Sequence, residues 1–103
     1  MIRHVVMWVF PEESAGRSRD ENVARACELL RALPGAIAEI QRFEIGVDEL
    51  GGERQAHLVL VSEFADWDAL ERYQQHPSHL EVVGFFREVG TTRYAVDYAI
   101  NQA

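Results

Sequence analysis

The order strand, helix, strand, strand, helix, strand predicts an α+β domain with an antiparallel sheet and its helices on one face, the split arrangement of a ferredoxin-like fold. Three observations carry this expectation. Four segments are rich in β-branched and aromatic residues with apolar residues in alternation. Two stretches between them repeat apolar residues at helical intervals, and two of the strands are apolar on both sides. The first strand is Ile2 to Phe10, IRHVVMWVF, stopped by Pro11. Ile2, His4, Val6, Trp8 and Phe10 line one side and Val5, Met7 and Val9 the other, so both faces are expected to be buried. A polar loop follows. Ser18 and Glu21 have capping-box spacing, and Val23, Ala26, Cys27, Leu30 and Leu33 then form a helical stripe that ends at Pro34 and Gly35.

The second strand runs within Ile37 to Val47, with Phe43, Ile45 and Val47 opposite Arg42 and Glu44, the pattern of an outer strand. Asp48 to Arg54 holds Gly51 and Gly52 and reverses the chain. The third strand, His57 to Phe64, is apolar on both faces. Asp66 caps a short helix presenting Trp67, Leu70 and Tyr73; it breaks at His76 and Pro77, after which Leu80, Val83 and Phe86 mark a further helical piece. Arg93 to Ile100 is the fourth strand, with Tyr94, Val96, Tyr98 and Ile100 alternating against Ala95, Asp97 and Ala99. Two helices cover only one side of such a sheet, so the other side predicts a second copy packed sheet against sheet, a homodimer.

A chain of 103 residues with 48% apolar and 26% charged types suits a single packed domain spanning residues 1–103. Seventeen acidic residues against ten basic ones, a formal charge of -7, argue against nucleic acid and anionic membrane as partners. Every basic residue is arginine, which removes lysine Schiff-base chemistry and a phosphate-loop lysine. The single Cys27 forms no internal disulfide and belongs to the core, which favours a reducing, cytoplasmic location. Ile2 to Phe10 is too short to span a bilayer, and no targeting segment is evident.

Several segments together resemble the stress-responsive dimeric A/B barrel (Dabb) family: IRHVVMWVF, the LPG turn, FEIG, HLVLVSEF, DALERYQQHPSHLEVVGFF and YAVDYA. The most specific part is Tyr73, His76, Pro77 and His79, matching Y-x-x-H-P-x-H. The resemblance implies a ferredoxin-like protomer that pairs into a dimeric α/β barrel. Many members are described only as induced by stress, while some plant relatives are polyketide cyclases that close a linear polyketone by aldol condensation. The implied function is binding of a small apolar or aromatic molecule in a pocket between helices and sheet.

His4, His57, His76 and His79 coincide with histidine positions of cyclase-like relatives. By that resemblance His79 is the base and Tyr73 donates a hydrogen bond to the oxygen where charge develops, with no cofactor and no metal. His4 and His57 join the pocket as ligand-binding groups, and Trp8, Phe10, Phe85 and Phe86 supply apolar wall. Where the cyclases place an aromatic residue on the first helix, this chain has Ala26 beside Cys27. Structural readings stand beside these: His79 as a first-turn helix residue, His76 as an end-of-helix group, His4 and His57 as satisfied core histidines. Rival functions are a non-enzymatic structural stress protein and a monooxygenase-like or heme-handling barrel. A zinc site built on His76 and His79, or a hard cation on backbone carbonyls near Pro34 to Ile37, completes the alternatives.

Overall fold

The structure is a computed structural model that describes residues 1–100. Its four long strands are β1 (Ile2–Val9), β4 (Arg42–Val47), β5 (Leu58–Phe64) and β6 (Thr92–Ala99). They form one antiparallel sheet in the order β4-β5-β1-β6, so the two strands that are apolar on both sides are the central pair. Between β1 and β4 lie a small hairpin, β2 (Glu13–Ser14) and β3 (Arg17–Ser18), then α1 (Arg19–Arg31) and the single turn α2 (Leu33–Ala36). Between β5 and β6 lie α3 (Trp67–Gln75) and α4 (Pro77–Val89).

The capping box of Ser18 and Glu21 opens α1, and Val23, Ala26, Cys27 and Leu30 face inward as the stripe requires. In α3 and α4 the inner stripes are Ala69, Leu70, Tyr73 and then Val82, Phe86, Val89. This corrects the expected faces of two residues: Trp67 is 53% and Leu80 55% exposed. Leu80 lies two residues from Val82, on the opposite side of the helix, and Trp67 sits in a first turn that projects beyond the core. Gly90, in the left-handed region at φ 80°, closes α4 by donating its N–H to the Phe86 and Arg87 carbonyls.

Three boundaries also move. The loop after Pro11 contains the hairpin, turned by Ala15 and Gly16 at φ 54° and 77°, the paired positive angles of a tight hairpin turn. Asn22, fully buried, ties that hairpin to α1 by accepting from Arg17 Nε and donating to the Ser14 carbonyl. β4 begins at Arg42 rather than Ile37, because Ile37 is spent sealing the core after α2. β5 begins at Leu58, although His57 continues the pairing by donating its N–H to the Trp8 carbonyl.

The helix-covered face carries Ile2, His4, Val6 and Trp8 from β1 and Leu58, Leu60, Ser62 and Phe64 from β5, all buried. Among the described residues the opposite face has no helix over it. Across it run aligned rows: Arg42, Glu63, Arg3 and Tyr98; then Glu44, Val61, Val5 and Val96; then Gly46, Val59, Met7 and Tyr94. In the first row Glu63 accepts from both Arg3 and Arg42, while Arg3 also reaches the Tyr98 hydroxyl. The other two rows are mainly apolar, and within one protomer Met7, Tyr94, Val96 and Tyr98 stay exposed. The burial expected for both faces of β1 is therefore met on one face only by this chain's own helices. Every residue of β6 is exposed. Among the described residues no helix is long and apolar enough to cross a membrane.

Candidate active site

A cavity of about 330 Å³ lies between α4 and the β1–β6 side of the sheet. Its floor is His4, Val6 and Trp8, its roof Tyr73, His79, Val82, Val83 and Phe86, and its rim Arg87, Thr91 and Arg93. At about 30 Å³ per water in the liquid, the space matches roughly eleven waters, room for a single substituted ring. Another depression, on the bare face between Met7 and the Asp48–Ala56 loop, holds neither histidine nor tyrosine.

Strand alternation puts His4 on the floor. Its Nδ1 is hydrogen-bonded to the Asp97 carboxylate, its register partner on β6. His79 reaches the roof because Pro77 starts α4 immediately after α3 ends at His76. Its Nδ1–H donates to the Gln74 carbonyl at 3.0 Å, which leaves Nε2 as the free lone pair. Both imidazoles are thus tied at one nitrogen and present the other to the cavity. Burial pushes the His79 imidazole below its ordinary range, with the positive charge of Arg93 in the same direction, so the ring is neutral at pH 7.

Tyr73 is 1% exposed, its ring tilted against His79 at 4.5 Å and edge-on to His4 at 6.2 Å. Burial drives its phenol well above the usual tyrosine range, so it stays a hydrogen-bond donor. It lines the cavity with His4 and His79. Trp8 and Phe86 stack at 4.4 Å and form an aromatic slab along the same cavity.

His4, Trp8, Tyr73, His79 and Phe86 are thereby brought together. Three other candidates are not. His57 sits at the end of the sheet, where its Nδ1 accepts from the Phe10 N–H at 2.9 Å; a ring used as a backbone acceptor there lies away from the cavity. Phe10 is sealed behind Phe86, edge-to-face at 6.0 Å. Phe85 is half-buried against the core beneath the Arg17 guanidinium, outside the cavity lining. His76 caps α4 by accepting from the Ser78 N–H at 3.1 Å. Among the described residues no three His, Cys, Asp or Glu side chains converge in a metal-ligand group. From α1 the cavity receives Leu30, whereas Ala26 and Cys27 are packed in the core, where burial pushes the Cys27 thiol up.

Asp97, Arg87 and Arg93 belong to the site and are absent from the residues singled out by sequence. Asp97 could have been found by pairing the closing strand antiparallel to the first, since that register sets it opposite His4.

Comparison with known proteins follows the same lines. An uncharacterised protein of Streptomyces coelicolor is 34% identical over 92 residues, covering 88% of this chain and 92% of that protein. A dimeric protein of unknown function with a ferredoxin-like fold from Bacteroides fragilis superposes with a TM-score of 0.81 at 26% identity, covering 96% of this chain and 95% of that one. A hydroxynitrile lyase from Passiflora edulis shares the fold, with a TM-score of 0.77 at 19% identity, over 99% of this chain and 94% of that one. Residues 2–100 match the Stress responsive A/B Barrel Domain, and the chain belongs to that family.

Proposed function

We propose that the protein is a homodimer, joined through its bare sheet face, whose protomers each bind a small, mainly apolar molecule in the His4–His79 cavity and move a proton on it without a cofactor. The observation that carries this reading is that His79, its Nδ1–H spent on the Gln74 carbonyl, and Tyr73 line the same cavity with their rings 4.5 Å apart. A free imidazole lone pair accepts a proton from a carbon next to a carbonyl. The phenol beside it donates to the oxygen as negative charge develops there. The Asp97 carboxylate accepts from His4 Nδ1–H and fixes the direction of that ring on the floor. The dimeric state of the Bacteroides fragilis relative supports the pairing of bare faces.

The test is hydrogen–deuterium exchange at the benzylic carbon next to the carbonyl of 1-phenylpropan-2-one, an arylalkyl ketone, followed by NMR in deuterated buffer. Wild-type protein is expected to accelerate exchange. His79→Gln is expected to remove about a hundredfold or more of that acceleration, the range of a positioned general base, with Tyr73→Phe losing less. An exchange rate untouched by His79→Gln rejects the proton-transfer role.

A further inference from the structure

The rim of the cavity carries two arginines whose presence the chemistry above does not require. Arg87 lies in the last turn of α4 and Arg93 near the start of β6, on either side of the Gly90 turn, and both line the cavity. Among the described residues, Arg3, Arg25, Arg42 and Arg72 each pair with a glutamate and Arg17 and Arg19 donate to Asn22 and the Phe10 carbonyl; Arg87 and Arg93, like Arg31 and Arg54 away from this cavity, make no side-chain hydrogen bond or ion pair. In a chain of formal charge -7 two guanidinium groups left at one opening form a local positive patch against the overall field. The Arg93 charge reaches inward, where it acts on both Tyr73 and His79. The nearest acidic group of the same strand face, Asp97, is held by His4.

The register gives the cavity two ends. His4 stands opposite Asp97, and Trp8 stands opposite Arg93, so Arg93 lies on the helix-covered face beside the Trp8–Phe86 slab. Four residues along β1 separate these ends, about 13 Å at roughly 3.3 Å per residue. One end is suited to proton transfer and the other to an anion, with an apolar slab between.

Building on the cavity reading above, we infer that the ligand carries a carboxylate, held by Arg87 and Arg93 at the rim, with its apolar ring or chain lying along Trp8 and Phe86 and its reacting carbon at His79. The planar guanidinium fork matches a carboxylate and discriminates against an uncharged isostere, because the neutral group leaves the arginines without an ionic partner.

Isothermal titration calorimetry with 4-phenylbutanoate and 4-phenylbutanamide, matched in shape and different in charge, tests this. Wild-type protein is expected to bind the acid at least about tenfold more tightly than the amide. Arg87→Gln/Arg93→Gln is expected to abolish that preference. Raising salt from 0.05 to 0.5 M should weaken the acid and not the amide, a readout that needs no variant. Equal affinity for the two probes in wild-type protein, or a preference that survives the double variant, overturns the carboxylate assignment and leaves the neutral-ketone exchange result standing. Failure of both probes to bind, together with no ketone exchange, overturns the cavity reading and this inference with it.

Discussion

On the helix side of β1, Val6 and Trp8 are sealed beneath α4, whereas Met7, between them in sequence, is 44% exposed on the other side. The two faces are built from the same kinds of side chain. One is closed by this chain's own helices and encloses a cavity with two histidines; the other presents Val5, Val59, Val61, Met7, Tyr94 and Val96 with no helix over them among the described residues. The difference teaches that apolarity on both sides of a strand states a need for cover and leaves open who supplies it. It also separates the two proposed tasks, since a substitution on one face leaves the side chains of the other in place.

The largest effect is expected on the covered face. Phe64 is fully buried against His4 and Tyr73, and Phe64→Ala should cost about 3–5 kcal/mol in urea unfolding. Loss of less than about 1 kcal/mol would break the claim that this face is the core. Met7→Asp on the bare face should act differently. The protomer stays folded by circular dichroism, while the dimer weakens by about tenfold or more in sedimentation equilibrium, from one charge desolvated per protomer. Dimers of unchanged strength would place the interface elsewhere.

Acid should then resolve the faces by pH. Burial holds the His79 and His57 imidazoles below their ordinary value of 6.5, so the folded state takes up their protons less readily than the unfolded chain. Stability from these groups is complete above pH 6.5 and is lost as pH falls below it. On the bare face burial raises the Glu63 carboxyl, but Arg3 and Arg42 outweigh it and leave the group below its ordinary 4.5. That contribution persists until pH falls below 4.5. Urea midpoints between pH 7.5 and 3.5 should decline in two windows, the upper reduced by His79→Gln and the lower by Glu63→Gln. This is the smallest of the effects, and a single transition unmoved by either variant would refute it.

The central strands, the capped α1 and the proline break were legible because each carries a periodic or stereochemical signal several residues long. The hairpin at Glu13–Ser18 was not: its strands are two residues each, and its turn uses Ala15 at positive φ, where glycine or asparagine would have announced it. His79, Tyr73, His4, Trp8 and Phe86 could be gathered from the resemblance together with alternation on β1. His57 could not be placed that way, because its position at a strand end let a backbone N–H claim the ring. Asp97 and Arg93 escaped notice because they occupy an edge strand exposed along its whole length, where charged residues read as solvent-facing. Their meaning comes from the partner opposite, which spacing along one chain does not reveal.

His76 ends α3 and begins α4 with no linker between them, and its ring closes the first turn of the second helix. Tyr73 stands three residues before this elbow and His79 three after it, one turn away on each arm. The gap between phenol and imidazole is therefore governed by a single hinge angle, and Pro77 stiffens that hinge by locking its own φ. The spacing in Y-x-x-H-P-x-H reads as a pair of calipers whose jaws are the Tyr73 and His79 side chains. Replacing the pivot would reset their opening while leaving both jaws in place.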